Sequence, residues 1–280
     1  MIKDTINGFA QQQYLFAEKG ILQAAKDGAD YWYIDGSFPE EYPEMWTGKR
    51  IDLLIQKIQT YKVKPIFHGN FKLSLSSDVL AIREASVKQV LLEIDLSKEL
   101  STPLIVHGGV IVEPRLVIKA KKAALNNYLR SLEKIVSYAM VKGVTILLEN
   151  LANYINHRPF HYIFTTPEEY RYIFDRIDAP HVHFFYDVGH GAICSKNVVS
   201  VIQEFHSKIW GMSFSNNDGI RDLHIGILRG VVDYTQIVNT IIKNRWEGVI
   251  AFEARDRSFS QNISDLFKLF EDAYNQHEVI

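Results

Sequence analysis

The sequence contains very little cysteine. Its 280 residues include one, Cys194, so a disulfide framework is excluded, and so is a zinc site made of four cysteine thiolates. No motif of a cysteine nucleophile surrounds Cys194. We therefore expect it to be a small apolar residue without a chemical role.

An excess of charge and long apolar runs are also absent. The formal net charge is −2, which leaves no overall basic footprint for a nucleic acid. No run approaches the roughly 20 apolar residues of a transmembrane helix. The opening stretch MIKDTINGFAQQQ lacks the apolar part of a signal peptide. We expect a cytoplasmic protein with no membrane partner.

The sequence does contain short apolar runs, rich in β-branched and aromatic residues, at fairly regular intervals. The eight runs read TINGFA, YWYID, PIFHG, PLIVHGG, TILLEN, HFFYDVG, IWGMSFSN and GVIAFEAR. Most of them are nearly continuous rather than alternating. This pattern is typical of parallel strands that are covered on both faces.

Longer segments with helical spacing lie between these runs, for example RIDLLIQKIQTY and VVSVIQEFHSKI. Thr166 followed by Pro167 predicts a helix start with a hydroxyl N-cap, and Gly28 and Gly143 predict helix ends. Eight strands that alternate with helices predict an α/β fold, a (β/α)8 TIM barrel, with residues 1–280 as a single domain. The alternative is an open doubly wound sheet, although no GxGxxG motif follows a strand.

The ends of the predicted strands carry side chains that bind metal ions. Active sites of TIM barrels are built at this edge, because the carboxyl ends of all eight strands meet there. The histidines and carboxylates at or after these ends are His68, His107, Glu149, Asp187, His190, Asp222, His224 and Glu253. Imidazole and carboxylate groups bind zinc and similar divalent ions, so the set as a whole predicts a metal site.

Taken one at a time, these residues also fit other roles. A single histidine is typical of a hydrogen-bonded core position, and the pair Asp222 and His224 fits a solvated turn. Glu149 and Glu253 are stronger indications, because a carboxylate at the end of an apolar strand is costly to bury unless it is paired or metal-bound. The prediction of a metal site therefore depends on the set, not on one residue.

The motifs FHGNF, LIVHGG, LLENL, YDVGHG, DLH and AFEAR, in this order, resemble the xylose isomerase-like TIM-barrel superfamily. That superfamily contains endonuclease IV and related sugar isomerases and epimerases, and the resemblance runs from about the second strand to the eighth. Carried over by position, it implies three ligand groups. The groups are His68, His107 and Glu149; His190, Asp222 and His224; and Glu149, Asp187 and Glu253 with a histidine of the seventh strand.

The sequence departs from this pattern on the seventh strand. Alignment on the following NDG places Ser213 where the histidine is expected. A neutral hydroxyl is a poor substitute for imidazole, so we expect this position to bind metal weakly, to recruit a water or to be empty. The two histidine-rich groups are unaffected.

The resemblance implies an isomerase or epimerase that acts on a small sugar, sugar phosphate or polyol with one to three divalent ions, zinc or manganese. Glu149 and Glu253 are the candidate acid and base, and Arg255, His161 and Phe71 are candidate substrate-binding residues. One alternative is a metal-dependent phosphodiester hydrolase resembling endonuclease IV, with nucleic acid as a less favoured partner. Another is a barrel that has lost catalysis. The substrate, the metal and the oligomeric state stay open.

Overall fold

Eight strands form a closed parallel barrel in the structure, a computed structural model that describes residues 6–195 and 197–278. The first predicted run begins at Thr5, which lies outside the described residues. The barrel strands are β1 (Gly8–Gln11), β2 (Tyr31–Asp35), β3 (Lys64–His68), β4 (Leu104–His107), β6 (Ile146–Glu149), β8 (Val182–Asp187), β9 (Ile209–Phe214) and β10 (Val249–Phe252).

Two further strands, β5 (Val110–Val112) and β7 (Phe160–Tyr162), form a separate antiparallel pair. Around the barrel the order is β1-β2-β3-β4-β6-β8-β9-β10, and β10 pairs with β1. The sheet is thus closed and follows the chain order. The predicted (β/α)8 barrel is confirmed, and the open doubly wound sheet is excluded.

Helices cover the outside of this barrel. Those within the described residues are α1 (Ala17–Asp27), α2 (Gly48–Tyr61), α3 (Leu80–Glu99), α4 (Val117–Lys142), α5 (Pro167–Phe174), α6 (Val188–Cys194), α7 (Val198–Phe205), α8 (Tyr234–Lys243) and α9 (Phe259–Glu278). As predicted, Gly28 and Gly143 end α1 and α4 with positive φ angles of 75° and 71°. None of the described helices is both long enough and apolar enough to cross a membrane.

Two helix starts differ from what the sequence indicates. Thr166 occupies the N-cap of α5, but its hydroxyl makes no cap hydrogen bond. The sequence of α6 shows no helical pattern, because the helix has only seven residues and two of them are glycine, a poor helix former. Asp187 caps α6 instead: its Oδ1 accepts a hydrogen bond from the backbone N–H of His190 at 2.6 Å.

Most strands contribute one or more apolar side chains to the inside of the barrel. These side chains are Ala10, Tyr33, Ile66, Ile105, Leu147, Phe185, Val249 and Ala251. Because strand side chains alternate between the two faces, the residue two places further along a strand points the same way. The residues two places beyond the last inner apolar side chain of six strands are Asp35, His68, His107, Glu149, Asp187 and Glu253. The alternation of side chains therefore places a layer of polar residues above the apolar residues that fill the barrel.

Gly20 allows α1 to approach β2 closely. A Cβ atom at this position would lie 1.9 Å from Cε2 of Trp32, whose side chain is fully buried. We predict that Gly20→Ala lowers the free energy of unfolding by about 1–3 kcal/mol through overpacking, even though alanine favours helix. Urea unfolding measures this change.

Gly48→Ala is the matched control for this variant. Gly48 is the first residue of α2, and a Cβ atom there would meet nothing within 4 Å. The stability of Gly48→Ala should match or slightly exceed that of the wild type. Equal losses in the two variants would contradict the close packing of α1 on Trp32.

Glu93 on α3 is a fully buried carboxylate below the loop that follows β3. Burial raises its pKa from 4.5 to about 8, Glu44 adds to this rise, and the N–H of Asn70 and the charge of His68 oppose it. Folding therefore takes up a proton between about pH 5 and pH 8. The wild type should lose stability as pH rises through this window, because the unfolded chain ionises at lower pH.

We predict that Glu93→Gln removes this loss, since glutamine keeps an acceptor for Asn70 but carries no charge. The stability of the variant relative to the wild type should increase by about 1–3 kcal/mol between pH 5 and pH 8. Denaturant unfolding at several pH values measures it. A difference that does not change with pH would show that Glu93 is ionised in the folded protein.

Candidate metal centre

The first predicted ligand group comes together at the carboxyl ends of β3, β4 and β6. His68 and His107 each place Nε2 at 3.6 Å from Oε2 of Glu149, and the three side chains are buried. One ligand atom from each residue lies within 4.8 Å of the others. His68, His107 and Glu149 would therefore hold a divalent ion.

Glu149 also contacts a second set of ligand atoms. It groups with Asp187 and His190 within the same 4.8 Å limit, and its Oε1 lies 4.0 Å from Nδ1 of His190. Glu149 is thus the residue shared by both groups. Its Oε2 faces His68 and His107, whereas its Oε1 faces His190.

The hydrogen bonds of His190 favour one of its ring nitrogens as a ligand. Nδ1 lies 2.9 Å from the carbonyl oxygen of Asn150, which can only accept, so Nδ1 carries the proton. The free nitrogen of the neutral ring is then Nε2, which lies 3.4 Å from Oδ2 of Asp222. The same oxygen lies 2.8 Å from Nε2 of His224. His190, Asp222 and His224 are therefore neighbours, as the resemblance implies.

A folded loop positions Asp222 and His224 above the barrel. Asn216 and Ile225 pair across its base through two backbone hydrogen bonds of 2.8 and 3.0 Å. The carbonyl oxygen of His224 accepts from the N–H of Arg255 at 2.7 Å, which ties the loop to the end of β10. His224 adopts a left-handed φ of 48°, an uncommon conformation for a residue with a side chain. Its Nδ1 lies 3.7 Å from Oε2 of Glu253.

Buried polar atoms without hydrogen-bond partners concentrate in this region. Those of the candidate ligands are His68 Nδ1, His107 Nδ1, Glu149 Oε2, Asp187 Oδ2, Asp222 Oδ1, His224 Nδ1 and Glu253 Oε1. Such atoms are costly in a folded protein unless something else satisfies them. Oxygen and imidazole donors together suit zinc or manganese, so the residues present fit a divalent ion.

The electrostatics of the carboxylates point to the same need for a cation. Burial raises the pKa of Asp187, His190 opposes this rise, and the carboxylates of Glu253 and Glu149 add to it, which brings the pKa to about 7. Burial and Glu149 likewise raise the pKa of Glu253. Burial acts in the same direction on Glu149, but His107 and His68 beside it hold its pKa well below the usual range.

Ser213 lies on β9 between the strands of Asp187 and Glu253. It pairs with Asp187 on one side and with Ala251 on the other, and it is fully buried. Its hydroxyl has no partner in hydrogen-bonding geometry, although it is near enough to Glu253 to favour the ionised carboxylate. The position on β9 between Asp187 and Glu253 thus offers a buried hydroxyl and no imidazole.

Sequence reasoning missed two polar residues of this layer. Asp35 ends β2 and places Oδ1 at 3.8 Å from Nδ1 of His68. Asn150 is fully buried and clamps Asp187: its Oδ1 accepts from the N–H of Asp187 at 2.7 Å, and its Nδ2 donates to the carbonyl oxygen at 2.9 Å. The register of YWYID could have indicated Asp35. No sequence signal distinguishes Asn150.

A cavity of about 730 Å³ opens above this layer. Its floor holds seven candidate ligands: His68, His107, Glu149, His190, Asp222, His224 and Glu253. Its walls include aromatic side chains, among them Tyr14, Phe38, Phe71, Tyr154 and Tyr162. The volume falls within the usual range for small-molecule sites.

Two of the three predicted substrate-binding residues line this cavity. Phe71 and Arg255 lie on its walls, whereas His161 is absent from the described lining. The ring of His161 lies 3.2 Å from the carbonyl oxygen of Glu113, and the next residue, Tyr162, reaches the cavity instead. The segment that the sequence indicated as a loop includes the strand β7, and neighbouring residues of a strand face opposite sides, so Tyr162 and not His161 faces the cavity.

The fold and the site together define a TIM barrel with a candidate metal centre at the carboxyl ends of its strands. The family model for the xylose isomerase-like TIM barrel matches residues 21–273, and the chain belongs to this family.

Relatives and solved structures agree with this assignment. The chain is 25% identical over 232 residues to the uncharacterized protein MJ1311 of Methanocaldococcus jannaschii, covering 81% of this chain and 77% of that protein. A D-tagatose 3-epimerase-like protein superposes with a TM-score of 0.80 at 21% identity, covering 96% and 99% of the two chains. An L-ribulose 3-epimerase gives 0.76 at 14% identity and covers 97% of each. These likenesses show the fold.

Removal of the shared carboxylate tests the metal centre. We predict that the protein binds zinc or manganese and that Glu149→Gln weakens binding by about 10-fold or more, because Glu149 belongs to the group with His68 and His107 and to the group with Asp187 and His190. Isothermal titration and elemental analysis measure affinity and content. Glu93→Gln, another buried glutamate but outside the ligand groups, should keep wild-type affinity. Equal affinity in wild type and Glu149→Gln would contradict the assignment.

Proposed function

We propose that the protein is a divalent-metal-dependent enzyme that isomerises or epimerises a small sugar, sugar phosphate or polyol. One observation carries the proposal. The buried carboxylates of Glu149 and Glu253 both lie at the floor of one cavity, but they come from strands that are not neighbours in the barrel. On one side, β8 and β9 lie between β6 and the end of β10. On the other side, four strands separate them.

This arrangement suits proton transfer at a carbon next to a carbonyl group. Inversion at such a carbon requires one group that removes a proton and another that returns it to the opposite face. Glu149 and Glu253 are two carboxylates that border the floor from different directions. When bound, the metal supplies polarisation of the adjacent carbonyl and hydroxyl oxygens, which makes the C–H bond more acidic.

The remaining residues of the site orient the substrate and its catalytic groups. Asn150 fixes the backbone of Asp187 on both sides, and Asp35 lies beside the ring of His68. Tyr14 and Phe38 pack edge to face at 5.9 Å and form an apolar wall. Such a wall excludes water from one side of a bound sugar.

The similar solved structures support this proposal by the activities in their names, which include sugar 3-epimerases. At 21% and 14% identity they support the fold, and the choice of reaction depends on the site itself. The carboxylates and histidines of this chain are compatible with that chemistry.

A phosphodiester hydrolase is the second candidate. The observation that favours it is the number of ligand groups: His68 and His107 join Glu149 on one side, and His190, Asp222 and His224 gather on the other. A single ion needs only one of these two ligand groups. Hydrolases that use several ions need more than one group, because their ions activate water and neutralise a phosphate.

Solvent exchange separates the two candidates. We predict that the metal-loaded protein incorporates deuterium from D₂O into a ketose or ketose phosphate next to its carbonyl group. Glu253→Gln should slow this exchange by about 100-fold or more, because it removes one proton-transferring group. NMR spectroscopy of a substrate panel measures the rate.

Glu93→Gln is the control and should exchange at the wild-type rate. The same preparations are tested on a DNA duplex with an abasic site. Incision of this duplex that depends on Glu149, without exchange in any ketose, would reject the proposal in favour of the hydrolase.

A further inference from the structure

We propose that the substrate carries an anionic group, a phosphate or a carboxylate, which Lys72, Arg255 and Arg257 bind on the outer wall of the cavity. This inference rests on the proposed function, because it concerns the substrate of the same site. All three cationic side chains line the cavity. Their charge indicates the class of substrate that the proposed reaction would use.

The charges of the cavity are separated between floor and wall. The carboxylates among the described lining residues are Asp35, Glu149, Asp222 and Glu253, and each of them lies within 4 Å of a candidate-ligand histidine. The lining lysine and arginines belong to the loops beyond the strand ends. The floor is therefore acidic and suited to a metal ion, and the wall is basic.

The wall cations lack the close carboxylate partners that other arginines of the protein have. Arg50 lies 2.7 Å from Glu41, and Arg221 lies 2.8 Å from Asp218. Among the residues that the structure describes, no carboxylate forms an ion pair with Lys72 or Arg255. Their positive charges are thus available to a ligand.

Arg257 is only weakly paired. Its Nη2 lies 3.8 Å from Oδ2 of Asp265, and its Nε is buried without a hydrogen-bond partner. A buried guanidinium N–H without a partner costs free energy. The side chain of Arg257 belongs to the cavity lining, and its planar guanidinium group matches a phosphate or a carboxylate.

The fold restrains the ammonium group of Lys72 and the backbone of Arg255. The ammonium group of Lys72 donates to the carbonyl oxygen of Ser37 at 2.7 Å, which links the loops after β3 and β2. The N–H of Arg255 donates to the carbonyl oxygen of His224. Because β10, β1, β2 and β3 are successive strands, the cations border one sector of the cavity mouth.

Aromatic rings lie in the same sector. Tyr14 packs against Phe38, and the guanidinium group of Arg255 stands 5.5 Å from the centre of the Tyr14 ring. A sugar ring has room on this aromatic wall while its anionic group faces the cations. With the anionic group at the wall, the carbonyl end of the substrate would face the metal centre.

Ketoses with and without an anionic group test this inference. Binding of D-ribulose and D-ribulose 5-phosphate to the metal-loaded protein is measured by isothermal titration, with D-fructuronate as the carboxylate probe. We expect at least one anionic ligand to bind about tenfold or more tightly than neutral D-ribulose, as charged hydrogen bonds provide. Equal affinity for all three would overturn the inference.

The variants Lys72→Met, Arg255→Gln and Arg257→Gln assign this preference to the wall. Each should weaken binding of the anionic ligand by about tenfold and weaken binding of D-ribulose much less. Arg176→Gln is the control, because Arg176 is exposed just after α5 and does not line the cavity. An unchanged anion preference in all three wall variants would overturn the inference, as would tighter binding of abasic DNA that depends on the same residues.

The two proposals fail in different ways. Deuterium exchange in neutral ketoses without any preference for anionic ligands would leave the proposed function standing and reject the anion site. Binding of anionic sugars through the wall cations without exchange would support the anion site and reject the isomerase. Binding and exchange are therefore measured on the same preparations.

Discussion

The burial of Glu149 is the constraint on which the site depends. Its carboxylate is 2% exposed, and its oxygens lie 3.6 Å from His68 and His107 and 4.0 Å from His190. A charge in this position is tolerated only when cationic or polar groups surround it. The histidines of β3 and β4 and the first turn of α6 supply those groups. The polar layer is thus one connected electrostatic unit and not a collection of separate strand ends.

The barrel and most of this layer could be predicted from the sequence because both follow from short-range periodicity. Continuous apolar runs mark strands that are buried on both faces, and the alternation of side chains places His107 and Glu149 on the same inner face. The contact of β4 with β6 then brings them together. Such regularities need no knowledge of distant contacts.

What could not be predicted depends on contacts between distant segments. Asn150 clamps Asp187 across two strands, which no local pattern signals. His161 was expected at the substrate, but the register of β5 and β7 turns it towards Glu113. The short helix α6 forms because Asp187 caps it, despite its two glycines. Each of these features is decided by tertiary structure.

Asp187 combines two roles, because it caps α6 and is also a candidate metal ligand. Oδ1 of Asp187 holds the N-terminus of the helix, while Oδ2 of the same carboxylate is buried and free of partners. His190, one turn into the helix, is itself a candidate ligand. Binding of a metal ion at the centre would therefore restrain the start of α6 through Asp187 and His190. The amide protons of this helix then become reporters of the state of the site, with slower hydrogen exchange when the ligands are engaged.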